Sequence, residues 1–332
     1  MWDNRRDEYD NAIVMNWITS KCYGMNRLRM SFPGQIDLDM STITKVVLAG
    51  ATGNLGPAIL EQLLKAGFQV TILTRQGSTH NLPASVIVKP VDYDSVESLT
   101  AALRGQDAVV STLGAIGLSK QLNLVEAAVK ASVKRFIPSE FGSDTTNAKS
   151  AALPIFEHKI ATQKALAREA ANGNISYTTV ITGPFFDWAL KAGLIINPKQ
   201  KIIALFDGGE RPFSATTLES IGKAVVGVLK KPEETKNRAV YVQDAAPTLK
   251  QLKAVAEKVT GSAWQGKEVS IENDQLPPAF AGMGENPILA QIITSIWGEG
   301  YGSHFEKLDN ELLGLREFTE TEIEAVVAGA AK

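Results

Sequence analysis

The sequence predicts an α/β protein: a doubly wound parallel sheet followed by a smaller, mixed α+β domain. Three observations predict it. Short apolar runs alternate with helix-length stretches between residues 45 and 181, the first of those runs leads into three glycines spaced GxxGxxG, and the alternation loosens beyond Pro184. Strands that alternate with helices need crossover connections, and these give parallel neighbours with right-handed links.

Val46, Val47 and Leu48 suit a strand buried on both faces, and 57–66 reads as a helix, so the glycines fall on the turn between them. Gly50 permits the tight turn, Gly53 removes a side chain where a phosphate must approach, and Gly56 lets the helix pack closely on the strand. With Thr52, Asn54 and Leu55 the loop offers amides at a helix N-terminus, a cradle for the pyrophosphate of an NAD(P)-binding Rossmann-type domain. An ordinary tight strand-to-helix turn has the same spacing.

A second strand over 69–74 ends at Arg75, where such a fold meets the adenosine ribose. An NAD-selective site places Asp or Glu there. This chain has Thr74-Arg75-Gln76, with Ser78, Thr79 and His80 nearby, which suits the 2′-phosphate of NADPH. The alternation continues with a strand at 86–90, a helix at 95–103, a strand at 107–112, a helix at 122–131, a strand at 134–137, a helix at 154–171 and a strand at 177–181. Ser111, Thr112 and Gly114 follow the fourth strand and are placed to line the cofactor ribose and nicotinamide, or simply end the strand. Ser139, Glu140 and Phe141 follow the fifth, where Phe141 packs on nicotinamide or fills core.

Past Pro184 the sequence gives a strand at 201–206, a Gly208-Gly209 turn, a helix at 217–229, a strand at 239–242 and a helix at 248–260. We place the boundary near residue 186, giving a cofactor-binding domain over 40–185 and a substrate-binding domain over 186–332, with elements of 217–242 free to rejoin the main sheet. Residues 1–39 interleave acids and bases, as in Asp3-Asn4-Arg5-Arg6-Asp7-Glu8, without sustained apolar period, and read as a disordered or loosely attached extension.

Charged residues make up 21% of the 332 and the formal net charge is −2, which gives no basic excess for nucleic acid. Cys22 is the single cysteine, and His80, His158 and His304 are widely separated, so no intramolecular disulfide and no zinc spacing is expected. No apolar run approaches the roughly 20 residues of a membrane span, and a cytoplasmic monomer or homodimer acting on a small molecule is the expectation.

Hydride chemistry needs a group that exchanges a proton with the substrate. The YxxxK pattern of short-chain dehydrogenases is absent, since Ile181 stands four residues after Tyr177. The nearest substitute is Lys159, in Phe156-Glu157-His158-Lys159. At about 100° per residue, Phe156, Ile160, Gln163 and Ala167 would share the packed face with Lys159 at its border, and Lys164 and His158 would point elsewhere.

The AGATGNLG loop over 49–56, Pro138-Ser139-Glu140-Phe141-Gly142 and the FxxK piece ending at Lys159 together resemble the isoflavone-reductase-like, NmrA-type branch of the atypical short-chain dehydrogenases, especially its fungal-type members. The likeness runs from about 44 to 184 and weakly to about 260. It implies an NADPH-dependent reductase of a small aromatic or conjugated substrate, with Lys159 as catalytic acid/base and cofactor contact, Gly50, Gly53 and Gly56 as the loop glycines and Arg75 as the 2′-phosphate ligand. The segment 182–188 resembles the loop that covers the nicotinamide in that family, which puts Pro184 and Phe186 against the cofactor; Phe186 and Trp188 either form an aromatic wall for substrate or pack in the core. The rival is an NmrA-type dinucleotide sensor that lacks catalysis and binds a protein partner.

Overall fold

The computed structural model describes residues 42–78, 80–271 and 287–331, so the extension 1–39 and Thr79 lie outside the described residues. In β1 (Lys45–Ala49) alternate residues part to the two sides of a sheet: Val46 and Leu48 enter one core, Val47 and Ala49 the other. Burial on both sides requires helices above and below. They follow in turn as α1 (Gly56–Lys65), β2 (Gln69–Arg75), β3 (Ile87–Val91), α2 (Val96–Leu103), β4 (Ala108–Ser111), α3 (Gln121–Lys130), β5 (Arg135–Ile137), the single turn α4 (Ala148–Ala151), α5 (Glu157–Ala171) and β6 (Ser176–Ile181). The second half contributes α6 (Phe186–Lys191), β7 (Ile196–Asn197), β8 (Ile202–Phe206), α7 (Leu218–Lys230), β9 (Arg238–Tyr241), α8 (Leu249–Thr260), β10 (Gln265–Val269), α9 (Pro287–Trp297) and α10 (Glu320–Ala331).

Seven strands form one sheet in the order β3-β2-β1-β4-β5-β6-β9, every neighbouring pair parallel. Strand order reverses between β1 and β4, which opens a crevice at their carboxyl ends. Ile59 and Leu63 of α1 share one core with Ile221, Val225 and Val228 of α7, and the opposite core gathers Leu99 and Leu103 of α2, Leu124 of α3 and Leu166 of α5. A three-stranded sheet, β10-β8-β7, carries a separate core that includes Phe186, Phe206, Phe213 and Trp297.

One particular differs from the sequence reading. Helix 154–171 divides into a 3₁₀ turn, Pro154–Phe156, and α5, which resets the helical phase. Thr162 and Leu166 are the buried residues of α5 while Ala167 is exposed, so Lys159, three residues before Thr162 and seven before Leu166, sits on the packed stripe and not at its border. Within 217–242, the stretch that the sequence left free to rejoin the main sheet, β9 pairs with β6, Thr178 with Arg238 and Ile181 with Tyr241.

Candidate active site

The turn from β1 to α1 is shaped by its own backbone. Gly50 sits at φ +91°, and a Cβ there would lie 2.7 Å from the Thr112 carbonyl oxygen. At Gly56 a Cβ would fall 2.3 Å from the Gly50 carbonyl oxygen, so the helix start packs on the loop only as glycine. Nothing among the described residues demands the third: there a Cβ at Gly53 meets no atom nearer than 3.5 Å. Its bare backbone, exposed together with Thr52 and Asn54, leaves room for a ligand. Leu55 is buried and precedes α1 as its N-cap residue, yet no side chain caps the helix and no acid stands in its first turn. Among the described residues the amides and positive end of α1 are unopposed, which fits a pyrophosphate.

From this loop a cleft of about 800 Å³ runs over the ends of β2, β3 and β4, lined among others by Arg75, Gln76, His80, Tyr93, Gly114 and Lys120. Arg75 is exposed there, and no ion pair among the described residues engages it. Lys120 pairs with Asp94 across the cleft mouth. Burial pushes the Tyr93 phenol up to about 12 against the pull of the Arg75 charge, so it stays a neutral donor, directed at the Leu73 carbonyl at 3.4 Å. Asp92, Tyr93 and Lys120 were not singled out from the sequence. The available signal was position, since residues just after a parallel strand line the crevice.

Beyond the cleft the loops at the carboxyl edge are stitched side by side. Thr112 Oγ1 donates within reach of the Ala49 and Gly50 carbonyls at 3.0 and 2.9 Å, joining the loops after β1 and β4. Ser139 Oγ donates to the Leu113 carbonyl at 2.9 Å, and its amide to Gln121 Oε1, joining β4 to β5. The Gly183 amide reaches the Gly142 carbonyl at 2.9 Å, joining β5 to β6, and the Thr216 amide reaches Pro184 at 3.2 Å.

Lys159 closes this band. Its ammonium donates to the Glu140 carbonyl and lies 5.5 Å from the centre of the Phe156 ring. Burial lowers its pKa from the ordinary lysine value, and the Glu140 carboxylate works in the opposite direction. The lining of the 800 Å³ cleft does not include Lys159, Ser139 or Thr112, which lie further along the same edge. His158, beside it in sequence, is exposed, as is Lys164.

The aromatic wall is corrected at Phe186. Phe186 is fully buried among Leu190, Ile196 and Phe213 and presents no face to a ligand, because α6 begins at this residue and turns it inward. Phe141, 6% exposed, packs with Ile137 and Val180 in the sheet core. Trp188 stays half-buried, edge-to-face with Phe185 at 6.3 Å. Among the described residues no group of acids, histidines and cysteines is arranged to hold a metal ion, and no helix is long and apolar enough to cross a membrane.

Sheet order, glycine turn and crevice define a doubly wound α/β protein. Residues 42–286 match the model of the NmrA-like family, and the chain belongs to that family, as the three sequence pieces led us to expect. Oxidoreductase poxI of Penicillium oxalicum is 35% identical over 301 residues, covering 85% of this chain and 93% of the relative. Oxidoreductase aprR of Aspergillus flavus is 34% identical over 284 residues, covering 82% and 94%. Among solved structures, AtPrR2 with NADP+ and (+)-pinoresinol matches with a TM-score of 0.64 at 21% identity, over 87% of this chain and 99% of that one, a likeness of fold.

Proposed function

We propose that this chain is an NADPH-dependent reductase that transfers hydride to a small aromatic or conjugated organic substrate, with Lys159 exchanging the proton. The observation that carries the reading is the continuous edge from the uncapped N-terminus of α1 to a desolvated amine on α5. Gly50, Gly53, Gly56 and the α1 amides would hold the pyrophosphate, and Arg75 the 2′-phosphate. Bound there, NADPH supplies the hydride. Lys159 supplies a proton to the substrate oxygen or takes one from it, and burial brings its affinity for protons toward the working range of a general acid. Trp188 and Phe185 offer the aromatic surface for a planar substrate. The two relatives named oxidoreductases, and the NADP+ held by AtPrR2, support the reading. A dinucleotide sensor has no use for a desolvated amine at this place.

The test is deuteride transfer from C4-deuterated NADPH to a panel of aromatic enones and benzylic ethers. Lys159→Met is expected to cut turnover by about 10²–10⁴-fold while leaving NADPH affinity within about twofold. Undiminished turnover in that variant removes Lys159 from the chemistry.

A further inference from the structure

Glu140 is a buried acid that the reaction as described does not use. It is 1% exposed, and the fold holds it at both ends from a single helix. Its backbone carbonyl accepts from Lys159, while its carboxylate Oε2 accepts from Thr145 Oγ1 at 2.8 Å, which in turn accepts from Gln163 Nε2 at 2.7 Å. Lys159 and Gln163 are one turn of α5 apart, so they reach the loop after β5 from the same helix face. The other carboxylate oxygen, Oε1, is buried and has no hydrogen-bond partner among the described residues. A buried carboxylate with an open oxygen is costly unless a positive charge compensates it.

A buried amine has the complementary difficulty, because desolvation strips its proton. A general acid that has lost its proton cannot act. Three features oppose the loss at Lys159: the Glu140 carbonyl, the face of Phe156 at 5.5 Å, and the negative charge of Glu140. The other charged groups nearby are engaged or face water. Glu157 and His158 on α5 are exposed, Asp144 accepts from Thr146 and Tyr241, and Lys120 is paired with Asp94.

We propose that Glu140 is the positioning residue of the proton-exchange site, the counter-charge that keeps the Lys159 amine protonated and aimed inside a desolvated edge. The proposal rests on the reading of Lys159 as the proton exchanger, but its test does not need turnover. Trace acetylation of the intact chain across pH 6–11, read by peptide mass spectrometry, reports the titration of Lys159 directly. Neutralising the acid in Glu140→Gln is expected to move that titration down by about one pH unit, the usual scale for removing a neighbouring opposite charge. Glu140→Asp, which keeps the charge, is expected to stay nearer the natural chain. Where substrate turnover is measurable, the falling alkaline limb of kcat moves down with the labelling curve in Glu140→Gln, a shift that a merely structural role does not produce.

Glu140→Met covers the case in which the amide is not tolerated. Should neither neutral variant fold, the double variant Glu140→Met, Lys159→Met is expected to recover the cooperative melting that Glu140→Gln and Glu140→Met lack, because both charges leave together. A folded neutral variant with unchanged Lys159 titration overturns the proposal, and so does a double variant no better folded than Glu140→Met. A shifted titration in Glu140→Gln, with turnover indifferent to Lys159→Met, leaves the charge pairing standing and rejects the catalytic reading instead.

Discussion

In the proposed function the choice between coenzymes turns on a single charge. Arg75 stands exposed at the end of β2, inside the cleft and without an ion pair among the described residues. One charge-assisted hydrogen bond contributes roughly 1.5–3 kcal/mol, so Arg75→Ala is expected to weaken NADPH by about 10- to 100-fold and to leave NADH nearly unchanged. Paired isothermal titrations measure this, and equal losses for both coenzymes would place the 2′-phosphate elsewhere. Lys159 carries the pH prediction. If it donates the proton in the reductive direction, it acts as the ammonium, so turnover falls as pH rises through its pKa. Burial lowers that pKa, so the fall is expected below the ordinary lysine value of about 10.4, and the limb is expected to vanish in Lys159→Met. At this scale the glycine turn and the place of Arg75 at the end of β2 were legible, because both are local to a strand end. Glu140 and Tyr93 were legible only as positions after strands. Their burial depends on Thr145, Gln163 and Leu73 arriving from elsewhere in the fold.

Elements were legible where their apolar period was strong and hidden where it was not. β1, β2, β4 and β6 carry continuous apolar or β-branched runs and lie within a residue or two of the expected ranges. β10, with Gln265, Lys267 and Glu268 in five residues, has no such run, and β7 is two residues long. Both owe their form to pairing with β8. One buried charge ties elements that sequence left separate. Arg135 of β5 is fully buried and donates to Thr178 Oγ1 at 2.7 Å, to the Tyr177 carbonyl at 3.2 Å and to the carbonyls of Thr235 and Pro232 in the link from α7 to β9. Burial lowers its pKa to about 10, the Glu233 charge opposing. Arg135→Met fits the space but strands several carbonyls. We expect a loss of about 2–5 kcal/mol in chemical denaturation, with the coenzyme cradle unaffected. An unchanged denaturation midpoint would mean that water satisfies those carbonyls.

For the whole molecule the decisive feature is that the chain leaves the main sheet and comes back. The segment before α5 clips the C-terminal part through Asn147 to the Gly300 carbonyl at 3.1 Å, Lys149 to Glu299 at 2.9 Å and Ser150 to Tyr301 at 2.9 Å. Downstream residues then complete the upstream core, since Ile221, Val225, Val228, Val240 and Val242 belong to the same cluster as Val46, Ile59 and Leu63. At about 1.5–3 kcal/mol per buried aliphatic side chain, losing those five removes roughly 8–15 kcal/mol, comparable to the whole net stability of a domain at about 5–15 kcal/mol. A fragment ending at residue 185, where the sequence rhythm loosens, is therefore expected to show no cooperative unfolding and no NADPH binding, although it contains the complete glycine turn and Arg75. Calorimetry and titration of that fragment beside the full chain decide the matter. A fragment that melts cooperatively and binds coenzyme would show that the first six strands close a core by themselves, and that β9 and α7 are additions to a finished domain.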